Sequence, residues 1–539
     1  FNWIPYIKGA AGKRWIEPLS EILKFHMDML EIHTMEKDGK KIATPGKNER
    51  FYFKPGVAFA MTGSNFSSRK HRYKSIIDSK GSSIFFSAQS QLTCLLNSKL
   101  TQTIITALNP TVSFQVGDVN RLPLFPIESA DEIFAQLETS FSQHEAARET
   151  SVEFQCPGPS CWVYAQDWAQ RAVDREPGEP LPPWEPVYQE ATPADWVSYS
   201  VGVALGRFPA NSPSPEGNQM GLPHGILYLS AYFHPESPEC LNHPATQFLR
   251  NTWQTQGERL AKGNRLGDWL RLNFFKEDHL KRYEQRPIYF PLSSEKRNFV
   301  AYVSIHRWQD DTLTTLLVEY LRPDLAHLEG ALADLQTARY EGDKKTQAQA
   351  EKRYADLQKL RDELASFTNL VQHCAETGPP PAKASDPPIT PATYRMDLDD
   401  GVMINSAALW PLLEPQWNTP KTWWHELCTA KGKKDYDWSH LAARYFPQRV
   451  DQKCQSDPSL AVAHGCFWNY HPAKAYEWEL RLQDEIGPDF TIDEVNSDQH
   501  RQTFLKERSD LAAKLREKEE KRRERKYKKD TEDLSLWPQ

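Results

Sequence analysis

The stretch SNFSSRKHRYKS at residues 64–75 concentrates groups that suit a polyanion partner. Arg69, Lys70, Arg72 and Lys74 carry charge on side chains long enough to reach phosphates or guanine edges. Ser64, Asn65, Ser67 and Ser68 are short donors and acceptors that allow close backbone approach. His71 adds a titratable ring, and Phe66 and Tyr73 can pack or stack. Lys8, Lys13, Arg14, Arg50 and Lys54 add charge nearby in the sequence. A solvated charged loop accounts for the same residue types, so composition alone does not separate DNA contact from plain surface.

Catalytic signatures are sparse. The chain has no phosphate-binding G-x-x-x-x-G-K-[ST], no dinucleotide-type G-x-G-x-x-G and no zinc-binding H-E-x-x-H. An amino-methyltransferase needs a polar residue followed by Pro-Pro and an aromatic, to hold the target amine and stack on the flipped base. Asp386-Pro387-Pro388-Ile389 lacks the aromatic and sits among prolines, which favours coincidence. The acids at residues 397–402 (DLDDGV) read as a helix start or surface loop, because no further carboxylate pattern supports a metal. His464-Gly465-Cys466 has no paired base at a recognisable spacing. Catalytic and metal-ligating residues are therefore expected to be absent from this chain.

The elements that must hold the basic cluster read as mixed α/β. FYFKPGVAFAMT and SSIFFSA have strand composition. SQLTCLLNSKLTQTIITAL has helical spacing through Leu92, Leu95, Leu96, Leu100, Ile104 and Ile105 and stops before Asn109-Pro110. TVSFQVGDV alternates like a strand, and LPLFP is an extended exit. Residues 130–150 suit a helix, and EPGEPLPPWEP at 176–186 is a linker. PIYFPL and NFVAYVSI are strand-like runs flanking SSEKR. Leu321, Leu325, Leu328, Leu332 and Leu335, then Tyr354, Leu357, Leu360, Leu364, Phe367, Val371 and Cys374, step by three and four. Two such heptad helices with a polar turn between them make an antiparallel, coiled-coil-like hairpin.

At 539 residues the chain is too long for one core. The expected organisation is a recognition domain at 1–127, a helix and connector at 128–194 and an α/β scaffold region at 195–320. A helical hairpin at 321–376, a proline-rich linker at 377–393, a helical Trp-rich domain at 394–500 and a charged helical tail at 501–539 complete it. Residues 1–127 hold 17 Lys and Arg against 9 Asp and Glu, a formal +8; the other 48 and 63 give −15, within a total of −7. A basic module on an acidic body is what phosphate contacts require. Eight scattered cysteines without close metal-type spacing suit free thiols in a reducing cytoplasm. No apolar run approaches the ~20 residues that span a bilayer, so no membrane partner is expected. Phe1 is not an initiator Met and no signal-peptide pattern follows it, so the numbering is expected to start inside a longer polypeptide.

Several stretches, in order, resemble one family. They are GSSIFFSAQSQLTCLLNSKLTQTIITALNPTVSFQVGDVNRLPL at 81–124, SYSVGVALGRF at 198–208, FFKEDHLKRYEQRPIYFPLSS at 274–294 with IHRW at 305–308, and YRMDLDDGVMINSAALWPLL at 394–413. Together they resemble the C-terminal, target-recognition half of PglX-type adenine-specific DNA methyltransferases of the BREX and DISARM phage-defence systems. WIPYIKGAAGKRW and RFYFKPGVAFAMTGSNFSSRKHRY look closest to the DISARM branch. The resemblance covers most of residues 1–500. It implies a partner half, in the same polypeptide or complex, that binds S-adenosylmethionine and carries the catalytic loop; this chain matches none of those motifs and is expected to be inactive alone. It further implies double-stranded DNA as partner, with Asn65, Arg69 and Arg72 as candidates for base edges, and other defence proteins as further partners. The alternative is a protein-interaction scaffold subunit without DNA specificity of its own.

Overall fold

The computed structural model describes residues 3–9, 12–37, 40–41, 49–78, 80–208, 221–232, 240–340, 342–377, 409–417 and 447–535. The chain is mixed α/β and rich in helix, as its pattern predicts. It divides into two compact units. One is Phe1–His144, Ser160–Tyr188 and Gln448–Gln539; the other is Glu145–Pro159 and Gln189–Pro447. No described helix is long and apolar enough to cross a membrane. The proline-rich linker from residue 378 onward, Asp386-Pro387-Pro388-Ile389 and the acids at 397–402 lie outside the described residues, as does 394–408 of the last family-like stretch.

In the first unit the strands, in chain order, are β1 (Trp3–Ile7), β2 (Trp15–Ile16), β3 (Ile22–Lys24), β4 (Glu36–Lys37), β5 (Lys40–Lys41), β6 (Val57–Phe59), β7 (Ser68–Lys70), β8 (Ile76–Ile77) and β9 (Ser83–Ile84). They form sheets of order β3–β1–β8 and β2–β7–β6–β9, and a β4–β5 pair. The helices are α1 (Leu30–His33), α2 (Gln89–Asn97), α3 (Lys99–Leu108), α4 (Val116–Val119), α5 (Ala130–Ala147) and α6 (Trp162–Val173). Val57 and Phe59 of β6 bury against Phe66, Leu92, Leu96, Ile105 and Phe114. Trp15, Ile16 and Cys94 bury against Phe134, Leu137 and Phe141 of α5 and Trp168 and Ala169 of α6.

Two local expectations change here. The helix expected to run through residues 90–108 breaks at Ser98, which is extended (φ −68°, ψ 151°) and caps α3 by accepting from the Thr101 amide. The alternating TVSFQVGDV is not a strand beyond a single bridge between Thr62 and Ser113. Asp118 accepts from the Gln115 amide (3.1 Å) and the Asn109 side chain (2.8 Å), and this local capping winds the segment into α4.

The first unit also contains the C-terminal helices. Trp468, Tyr476 and Phe504, from Phe467–Tyr470, Pro472–Glu485 and Ser497–Glu507, form an aromatic cluster. Trp478 stacks on His33 of α1, with ring centroids 5.3 Å apart. The charged helix Ser509–Ser535 is held by Lys518 to Glu477 (2.5 Å) and Arg522 to Asp484 (3.4 Å). Residues 448–535 thus pack into the unit that holds the basic cluster, where the sequence suggested a separate domain and tail.

The second unit is built on β10 (Ile226–Ser230), β11 (Tyr289–Ser293) and β12 (Phe299–Ser304), antiparallel in the order β10–β12–β11. All six residues of β12 are buried, as a central strand covered on both faces requires. Helix α7 (Pro193–Ala204) starts at a capping box of Thr192 and Asp195 and packs on α8 (Gln247–Leu260). Gly202 lets the ring of Phe208 and the Tyr289 hydroxyl approach, since a Cβ there would overlap the ring and lie 2.8 Å from the hydroxyl. Glu149 accepts from Tyr283 (2.7 Å), Ser198 (3.1 Å) and Arg207 (3.3 Å), joining the 198–208 and 274–294 stretches in one buried polar network. Helices Arg322–Ala338 and Lys344–Thr377 run antiparallel: Arg322 bonds Gln372 (3.4 Å) at one end and Arg339 pairs with Glu351 (3.5 Å) at the other. Glu363 of the second helix accepts from Ser294, the Lys296 amide and Asn298 (2.6, 2.9 and 2.6 Å), capping the β11–β12 turn.

Candidate nucleic-acid interface

Strand alternation divides the basic run. β7 lies between β2, parallel (Trp15↔Arg69, Ile16↔Lys70), and β6, antiparallel (Ala58↔Arg69, Phe59↔Ser68), so successive side chains point to opposite faces. Arg69 is fully buried. It pairs with Glu17 and donates to the Lys8 carbonyl (3.2 Å). Burial pushes the Glu17 carboxyl up and the Arg69 guanidinium opposes this. On the other face the Ser68 amide donates to Asn97 Oδ1 (3.0 Å) and Lys70 pairs with Glu138 (2.7 Å) over the ring of Phe134 (4.8 Å). Arg72 continues that face. It donates to Ser142 (3.2 Å) and lies over Phe141 (5.1 Å) and Tyr73 (5.7 Å).

Arg69, expected at a base edge, is therefore a core ion pair, and Ser67, Ser68 and His71 are buried with it. His71 is held by Ser83 Oγ (2.9 Å) and the Lys54 carbonyl (3.4 Å). Burial pushes its ring down to about 4, so it is neutral at pH 7. Lys70, Arg72 and Tyr73 are half-buried against α5.

The exposed members are elsewhere. Ser64 and Asn65 form a solvent-facing turn, anchored by the Phe66 amide on Gln102 (2.9 Å). Lys8 is exposed and paired with Glu21 (3.4 Å), Lys13 is exposed, and Arg14 donates to Gln170 (3.0 Å). Arg50 and Lys54, both exposed, lie 4.8 and 5.6 Å from the ring of Phe51, which stacks on Phe85 at 4.7 Å and 8°. Exposed Lys74 adjoins them, because Ser75 accepts from the Phe53 amide (2.9 Å). Phe53 and Phe86, next in sequence to this stack, are 38% and 44% exposed.

The structure thus brings Arg50, Lys54 and Lys74 together around aromatic rings that sequence reasoning did not select. Phe51 and Phe85 are 34 positions apart and share no spacing signal; only the juxtaposition of FYFK and FF with cations hinted at them. Cations over exposed rings gain ~0.5–1 kcal/mol and keep their charge available to phosphate. Nothing in the second unit's sheet fits S-adenosylmethionine: its strands are antiparallel throughout, without the strand–glycine loop–helix crossover that cradles such a cofactor.

No family model matches the chain. It is 25% identical over 482 residues to the adenine-specific methyltransferase PglX of Lacticaseibacillus casei (strain Zhang), covering 75% of this chain and 38% of that protein. It is 22% identical over 506 residues to the adenine-specific methyltransferase BrxX of Escherichia coli O9:H4 (strain HS), covering 76% and 40%. The chain therefore spans about two fifths of the length of these curated relatives, and its similarity to adenine-specific methyltransferases extends across most of its own length.

Proposed function

We propose that this chain is the DNA-recognition and scaffold portion of an N6-adenine methyltransferase that marks self DNA in phage defence. The observation that carries this reading is the exposed Arg50, Lys54 and Lys74 gathered on the Phe51–Phe85 stack in a chain similar to adenine-specific methyltransferases. Cations on phosphates set register, and short polar groups such as Ser64 and Asn65 read base edges. Methyl transfer from S-adenosylmethionine is assigned to polypeptide beyond the region shared with the relatives. The resemblance of WIPYIKGAAGKRW and RFYFKPGVAFAMT to the DISARM branch supports assigning the chain there.

The test is duplex binding as a function of salt. Removing one phosphate-neutralising cation lowers the salt slope by about 0.9. The triple variant Arg50→Ala/Lys54→Ala/Lys74→Ala is expected to lower the slope by roughly two to three, uniformly across sequences; an unchanged slope would remove this surface from the interface. One observation favours a second reading as a protein-interaction scaffold: Leu100 and Leu108 of α3, with Val112, Val116 and Leu124, are apolar and exposed. Binding to protein partners without measurable DNA affinity would support that reading.

A further inference from the structure

Phe53 is unusual in two ways. It is a large apolar side chain, 38% exposed on a cationic surface, and its backbone sits in the left-handed region (φ 62°). That conformation is uncommon for a bulky residue and persists only where its surroundings enforce it. Here the amide is fixed by the Ser75 carbonyl (2.9 Å) and the ring meets the edge of Phe25 (5.9 Å). Phe86 is 44% exposed and follows Phe85, whose ring is seated on the backbone of Gly56; a Cβ there would lie 3.1 Å from it. Phe51 is covered on its faces by Phe85 and the flanking cations. The two rings left open to solvent are thus Phe53 and Phe86, both on rigid backbone.

We propose that Phe53 and Phe86 form an apolar wedge that unstacks a base step of bound duplex DNA, while Arg50, Lys54 and Lys74 hold the flanking phosphates. The inference rests on the DNA-recognition reading and adds the manner of engagement. Apolar side chains inserted between base steps partly unstack and kink a duplex, and this deformation needs cations at the adjacent phosphates. Charge complementarity selects DNA as occupant: three exposed basic groups share the patch, and residues 1–127 carry a formal +8. A wedge also eases extrusion of a neighbouring base, which chemistry on that base requires.

The experiment compares binding of the full chain to a duplex with one central mismatch and to the fully paired duplex of the same sequence. A mismatched step is already weakened, so a protein that unstacks DNA binds it more tightly. The wild-type chain is expected to prefer the mismatch by roughly five- to a hundredfold, the range of aromatic–base stacking. Phe53→Gly tolerates the left-handed backbone and is expected to fold; with Phe86→Ala it should bind both duplexes equally, with the salt slope of the wild type. Phe86→Leu, which keeps apolar bulk, should retain part of the preference. Equal wild-type affinity for the two duplexes, or a preference that survives removal of both rings, overturns the wedge and leaves DNA recognition standing. No wild-type binding even at low salt overturns both.

Discussion

Arg69 and Glu17 form an ion pair inside the first unit, with both side chains buried and the guanidinium further bonded to the Lys8 carbonyl. The pair fastens β7 to the segment after β2, and it removes the central arginine of the basic run from the surface. Taking away one partner of a buried pair leaves the other charge uncompensated. Arg69→Ala is therefore expected to destabilise the first unit by about 3 kcal/mol, read from urea unfolding. A Glu17→Leu/Arg69→Met double variant should recover much of that stability. An Arg69→Ala protein of wild-type stability with weakened DNA binding would return this residue to the interface.

His71 sets the acid side of the stability profile. Its ring is pushed down to about 4 by burial, against about 6.5 in an unfolded chain. The unfolded state takes up the proton first, so stability is full above pH 6.5 and is lost as the pH falls toward 4, by up to about 3 kcal/mol. Denaturant midpoints between pH 7 and 4.5 should show the decline, and His71→Gln should flatten it.

Asp28 acts in the opposite direction. Burial, a hydrogen bond shared with Glu485 and the charges of Glu485 and Glu49 push its carboxyl up to about 8, with Arg481 opposing. The folded state keeps a proton that the unfolded state releases near pH 4, so stability falls as the pH rises from about 4 through 8. Asp28→Asn retains a donor toward Glu485 and tolerates the left-handed backbone there (φ 51°). This variant is expected to be more stable than the wild type at pH 8.5 and to lose that advantage at pH 5, as thermal unfolding at the two values would reveal.

In the second unit Glu363 accepts from three groups of the β11–β12 turn, and no apolar replacement satisfies them. Charge-assisted bonds of this kind contribute ~1.5–3 kcal/mol each when a partner is left unpaired. Glu363→Ala should lower the unfolding free energy by about 2 kcal/mol, and Glu363→Gln by less, because an acceptor oxygen remains.

The regular elements were legible where a single period dominates. The leucines from Leu321 to Leu335 and the apolar series from Tyr354 to Cys374 fall on the two helices their spacing implied, and PIYFPL and NFVAYVSI contain β11 and β12. The basic run was misread because composition does not reveal pairing. Once β7 sits between two strands, Arg69 and His71 must turn away from Lys70 and Arg72. Ser98 escaped notice because apolar spacing continues across the break. The Phe51–Phe85 stack, and the packing of residues 448–535 into the first unit, depend on contacts between distant segments that leave no local trace.

The central claim is that this chain reads DNA sequence. The most direct test is binding of the chain to a pool of random duplexes at two salt concentrations, with the bound fraction sequenced. Salt-sensitive binding with an enriched motif is the predicted result, and it names the target site. Absence of binding at low salt would contradict the account and leave the protein-interaction scaffold in its place.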